Sequence, residues 1–95
     1  MAVKILIKRK VAKELSPQLD PLLRKMRALT LSQKGYISGE TFSQLDEPGV
    51  SMVISTWQSL DDWRAWTLSK ERAELQGEID KLLGEPTKYE IFENA

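Results

Sequence analysis

The chain has 95 residues, 41% apolar and 29% charged, with 14 Lys+Arg against 14 Asp+Glu and neither Cys nor His. A chain of this length buries roughly 60–65% of its unfolded surface, enough for one thin core that a partner subunit would help to cover. Without Cys and His there are no disulfides, thiolate nucleophiles, imidazole ligands or Ser-His-Asp triads; what is left is chemistry by Asp, Glu, Lys, Tyr, Ser, Thr or Trp, or by a bound substrate with oxygen.

Val3 to Val11 alternates Val3, Ile5 and Ile7 with Lys4, Leu6 and Lys8, which predicts a half-buried strand. Ser16-Pro17 predicts an N-cap with Pro at the first helical position. Leu19, Leu22, Leu23, Met26 and Leu29 then mark one amphipathic helix over Ser16–Gln33, with Pro21 near its first turn and Gly35 as its stop. Tyr36 to Leu45 reads as a strand, Asp46-Glu47-Pro48-Gly49 as a turn and Val50 to Trp57 as the second arm of a hairpin. Ser59 with Asp62 resembles a capping box opening a helical region through Leu60, Trp63 and Trp66. The phase breaks near Ser69 and resumes with Leu75, Ile79, Leu82 and Leu83 up to Gly84. Thr87 to Glu93 is the last strand, with Tyr89 and Ile91 on one face and Phe92 on the other.

The order β-α-β-β-α-β predicts one α+β domain over residues 1–95, a ferredoxin-like sandwich of a four-stranded antiparallel sheet with both helices on one face. If Val3, Ile5, Ile7, Ile54 and Ile91 face the helices, then Leu6, Phe42, Val53, Trp57 and Phe92 are left over on the other face. Two helices cannot cover both faces, so a second copy packing sheet against sheet is expected to make a homodimer.

Residues 1–35 carry nine basic and two acidic residues, and residues 36–95 five and twelve. No aromatic residue is interleaved with the basic ones for base stacking, so the charge division reads as two solvated poles and not as a nucleic-acid surface. No apolar run reaches a bilayer span and Met1–Ala12 lacks a signal-peptide core, giving the expectation of a cytoplasmic protein without a membrane partner.

The three Trp residues cluster where the third strand meets the second helical region. Trp57 and Trp63 read as core; Trp66 lies about 60° round the helix from Trp63 and about 120° from Leu60, and is expected to flank the apolar stripe and line a flat cavity. Asp61-Asp62 is acid in the first turn of a helix, and Glu71, Glu74, Glu78 and Asp80 a solvated face. Nothing has metal-ligand spacing and there is no phosphate loop or dinucleotide fingerprint, so no metal or cofactor is expected.

Gly35-Tyr36-Ile37-Ser38-Gly39, Ser55-Thr56-Trp57-Gln58-Ser59-Leu60-Asp61-Asp62-Trp63 and Trp66-Thr67-Leu68-Ser69 resemble the antibiotic biosynthesis monooxygenase family, within the dimeric α+β barrel superfamily, along nearly the whole chain. The resemblance implies a ferredoxin-like protomer, a dimer whose two sheets close into a barrel, and a pocket between helices and sheet. Relatives include cofactor-independent oxygenases of aromatic or quinol substrates and heme-degrading monooxygenases. Trp66 and Ser69 resemble an element of the heme-degrading branch, but its axial His falls at about Gln76 and its strand Asn at about Lys8, which precedes Arg9. The usual heme ligand is therefore missing.

What the resemblance leaves is an apolar pocket for a small apolar or aromatic ligand, with Trp66, Trp63, Gln76 and Ser55 as candidate substrate-binding residues. Lys8 and Tyr36 are the candidate catalytic groups, as a cation or donor beside a phenolate oxygen. Each also has an ordinary reading: Lys8 as an exposed strand lysine, Tyr36 as a core or barrel aromatic, Gln76 and Ser55 as satisfied structural polar residues. The leading expectation is a cofactor-independent monooxygenase. The others are a non-catalytic or stress-related barrel protein that binds a small ligand, and a heme-binding protein with a non-His ligand.

Overall fold

The computed structural model describes residues 2–94. A strand Val3–Lys10 (β1) leads through a 3-10 turn at Lys13–Leu15 into helix Ser16–Leu31 (α1). Strands Tyr36–Ser43 (β2) and Val50–Trp57 (β3), helices Leu60–Thr67 (α2) and Lys70–Leu83 (α3), and strand Tyr89–Glu93 (β4) follow. The sheet order is β2-β3-β1-β4 with every neighbouring pair antiparallel. This is the expected ferredoxin-like arrangement, with the second helical region in two pieces.

The break at Ser69 is a fresh start, not a kink. Ser59 Oγ accepts from the Asp62 N–H at 3.1 Å to open α2, and Ser69 Oγ accepts from the Arg72 N–H at 3.3 Å to open α3. Each cap satisfies a backbone donor that the first helical turn leaves without a carbonyl. Gly84, with φ 75°, ends α3 in the left-handed conformation as its position predicts.

Two expectations about α1 are corrected. Ser16 does not cap the helix: it has helical φ and ψ of −54° and −43°, because the 3-10 turn already starts the winding at Lys13. Pro21 consequently sits inside the helix, where it removes a hydrogen bond to the Pro17 carbonyl. Nor does Gly35 stop the helix, which ends at Leu31. Gly35 instead carries a φ of 85° in the turn to β2, and any side chain there would overlap that of Asp62 on α2. Its carbonyl accepts from the Gln58 N–H at 2.7 Å, tying this turn to the β3–α2 junction.

The strand registers fix the two faces of the sheet. Val3 lies opposite Trp57, Ile5 opposite Ser55 and Ile91, and Ile7 opposite Val53 and Tyr89, so these residues share the face under the helices. Trp57 and Val53 therefore point inward and Ile54 outward, the reverse of the expected assignment. β3 has apolar residues in both phases, and only its pairing with β1 decides between them. Val3, Ile5, Trp57 and Trp66 form one buried cluster, packed by Met26 and Leu29 of α1 and Leu60 and Trp63 of α2. Leu19, Leu75 and Ile79 form a second between α1 and α3. Among the described residues no helix covers the opposite face, which carries Leu6, Met52 and Ile54, with Phe42 44% and Phe92 50% exposed. Among the described residues no helix is long and apolar enough to cross a membrane.

Candidate functional site

A cavity of about 360 Å³ lies between the inner face of the sheet and the three helices. Trp57 and Trp66 of the first buried cluster line it, as does Met26, which packs against both clusters. Ile7, Val53, Leu23 and Met26 give part of its apolar lining, and Trp57, Trp63, Trp66, Tyr36 and Tyr89 its aromatic walls. Tyr36 meets Trp57 edge to face with centroids 5.4 Å apart, and Trp63 meets Tyr89 in the same way at 5.5 Å. These contacts lock the rings in place. Gly39 leaves room for the Tyr36 phenol, since a Cβ there would lie 2.6 Å from its oxygen.

Five of the six residues singled out from the sequence line this cavity: Trp63, Trp66, Gln76, Ser55 and Tyr36. Trp66 is 5% exposed and belongs to the core cluster as well, so it does not merely flank the apolar stripe. Ser55 Oγ accepts from Trp57 Nε1 at 3.2 Å and so orients that indole. Lys8 is the exception. It sits opposite Met52 on the outer phase of β1, exposed and away from the cavity, which makes it an exposed strand lysine.

The cationic side of the cavity comes instead from Arg9 and Arg72, two residues that sequence reasoning missed. Arg9 continues the inward phase of Val3, Ile5 and Ile7, so the alternation already contained the signal. Arg72 stands three residues before Leu75 and four before Gln76, on the buried stripe of α3, and is 8% exposed.

Arg72 is held by neutral partners. Its guanidinium lies 5.2 Å from the centroid of the Tyr89 ring, and Nη2 donates to the Tyr89 phenol oxygen and, at 3.4 Å, to Gln76 Oε1. The Tyr89 hydroxyl donates to the same amide oxygen at 3.2 Å. Gln76 Nε2 donates to Asp80 Oδ1 at 2.8 Å and to Thr87 Oγ1 at 2.7 Å. Asp80 Oδ1 also accepts from the Thr87 N–H and hydroxyl. Both ends of Gln76 are therefore engaged.

Arg9 Nε is buried and finds no acceptor among the described residues. Burial pushes its pKa below the ordinary guanidinium range; Tyr89 and Asp80 act in the opposite sense, and the nearby Arg72 cation adds to the lowering. A guanidinium still carries its charge at neutral pH. Among the described residues, no group of three acidic side chains could hold a metal ion. The arrangement suits a flat aromatic molecule enclosed by indoles, with fixed donors and positive charge for an anionic oxygen.

The sequence profile of the family described as antibiotic biosynthesis monooxygenase matches residues 2–77. No curated protein sequence matches the chain. Among solved structures it is similar to a conserved protein from Methanosarcina mazei Go1, at 18% identity and a TM-score of 0.89, covering 100% of this chain and 94% of that one. It is similar to a variant of SnoaB, a cofactor-independent oxygenase from Streptomyces nogalater, at 13% identity and a TM-score of 0.84, covering 98% and 92%. Rv0793 from Mycobacterium tuberculosis matches at 16% identity and a TM-score of 0.85, covering 100% and 96%.

Proposed function

Because this chain belongs to the antibiotic biosynthesis monooxygenase family, we propose that it is a cofactor-independent monooxygenase of a small aromatic or quinol substrate bound in the cavity. The observation that carries this reading is an aromatic-walled cavity into which two guanidiniums project. The likeness to a cofactor-independent oxygenase supports it.

In this reading the substrate supplies the electrons. For a hydroquinone the balance is hydroquinone plus dioxygen giving hydroxyquinone plus water: one oxygen atom enters the ring, and the other leaves with two of the substrate's hydrogens. The protein's part is to hold the ring against Trp63 and Trp66 and to favour the phenolate that reduces oxygen. The Tyr36 hydroxyl, Arg9 and Arg72 are the donors for that developing charge. Gln76 positions Arg72 and Tyr89, and Ser55 positions Trp57. Lys8 has no part in it.

The residues that most often ligate heme iron are missing here, so a heme would need Tyr or Met as its ligand. The chain lacks His and Cys, and Gln76, at the position of the relatives' axial ligand, has both its amide oxygen and its nitrogen bonded within the protein.

The same reading makes the protein a homodimer through the uncovered sheet face, where Leu6, Met52, Ile54, Phe42 and Phe92 would be buried. Light scattering on a gel-filtered sample is expected to return twice the chain mass; one chain mass at micromolar concentration rejects the dimer. For the activity, oxygen uptake with a panel of hydroquinones is expected to depend on the protein and to fall about tenfold or more in Tyr36→Phe. Saturable binding with no protein-dependent oxygen uptake would reject the oxygenase and leave a ligand-binding protein.

A further inference from the structure

We propose that the natural substrate is an aromatic carboxylic acid, its carboxylate seated between Arg9 and Arg72 while its rings lie against Trp63 and Trp66. The proposal rests on the cavity being the substrate site, and it names a substrate feature that an oxygenase reading does not require.

The first support is a charge imbalance inside the cavity. Among the described residues the ion pair present is Lys10–Glu47, at 3.0 Å on the surface, and neither Arg9 nor Arg72 has one. The nearby acid is Asp80, whose Oδ1 already accepts from Gln76 and twice from Thr87. Arg72 is oriented by a phenol and an amide, which fix the guanidinium without neutralising it. Two like charges therefore share one cavity with neither in an ion pair, and the Asp80 carboxylate offsets them only in part.

The second support is Arg9 itself, whose Nε is buried without an acceptor among the described residues. A buried donor left unpaired is unfavourable, and a guanidinium presents paired donors that match the two oxygens of a carboxylate. A transient phenolate would need one cation; a second, permanently anionic group accounts for the other. At the rim, α1 contributes Arg24 and Arg27 against the single acid Asp20, so the approach to the cavity is also positive.

The test uses 2-naphthoate and 2-naphthamide, which share their shape, differ in charge and do not react with oxygen. Calorimetric titration of the full chain is expected to show naphthoate binding about tenfold to a hundredfold tighter than the amide. Arg9→Gln should remove most of that preference and Arg9→Lys retain part of it, with affinity for the amide falling much less than that for the acid in both. Arg72→Lys and Arg72→Gln give the same comparison on the other side of the seat. Equal affinity for the two ligands, binding of neither, or a preference surviving both glutamine substitutions would overturn the proposal. Oxygen uptake with 1,4-dihydroxy-2-naphthoate is measured separately. No uptake beside an intact naphthoate preference would reject the oxygenase and leave the acid site standing.

Discussion

The Tyr89 hydroxyl donates a 3.2 Å hydrogen bond to Gln76 Oε1, joining the edge strand β4 to the middle of α3 across thirteen residues of sequence. β4 is short, with most of its residues exposed. This bond, with those of Thr87 to Asp80 and Gln76, anchors the chain leading into it. Tyr89→Phe is expected to cost about 1 kcal/mol, lowering Tm by about 4–8 °C. It should also free Arg72 from one of its two partners, so ligand affinity changes along with stability. Thermal unfolding and titration of the same variant check both.

Gly35 meets two constraints at once, a positive φ and contact with Asp62. Gly35→Ala is expected to destabilise by about 2 kcal/mol or more, since strain and overlap add. Removing the neighbour as well separates the two: in Gly35→Ala with Asp62→Ala the loss should shrink but not vanish, as read by urea unfolding.

Ser69 opens α3 and thereby sets the helical phase that turns Arg72 and Gln76 into the cavity. Ser69→Ala should cost about 1 kcal/mol, and Ser69→Asp should restore it, because the carboxylate both caps and meets the positive end of the helix. Denaturant midpoints of the three proteins give the comparison.

Arg9 holds its charge at the expense of stability. Its lowered pKa means that the folded chain disfavours the proton. Relief would be complete only above the ordinary guanidinium pKa and is lost as pH falls through the lowered folded-state value, so at neutral pH the full cost is present. Arg9→Met is expected to raise stability by about 1 kcal/mol while weakening anion binding. A variant less stable than the parent would contradict this account.

The chain has no His and no Cys, so apart from the terminal amine no side chain of ordinary pKa titrates between about pH 6 and 9. The unfolding free energy should be flat across that window. A slope there, measured by urea unfolding at several pH values, would point to a strongly shifted group.

Local signals carried most of the fold. The alternation of β1, the Asp46–Gly49 turn and the Ser59–Asp62 cap need only neighbours to act, and each forms where its residues predict. The faces of β3 were not legible, because Val50, Met52 and Ile54 compete with Val53 and Trp57 until pairing with β1 settles the matter. The site was legible in its aromatic residues and not in its charges. Favouring Lys8 over Arg9 set aside the strand's own period, while Arg72 takes its meaning from Tyr89 and Gln76, which only the folded topology brings to it. Trp66 was placed at the edge of a stripe by helical arithmetic. In so short a helix the sheet beneath decides which residue is central.

β1 has hydrogen-bonded neighbours on both sides, β3 and β4, so its register cannot slide without breaking two ladders. Its odd-numbered positions therefore belong permanently to the helix-covered side, Val3 and Ile5 in the core and Ile7 and Arg9 in the cavity wall, and its even-numbered positions to the open face. A single substitution in this strand therefore changes the helix-covered side or the open face, but not both. The two faces are free to diverge separately among descendants of the same fold.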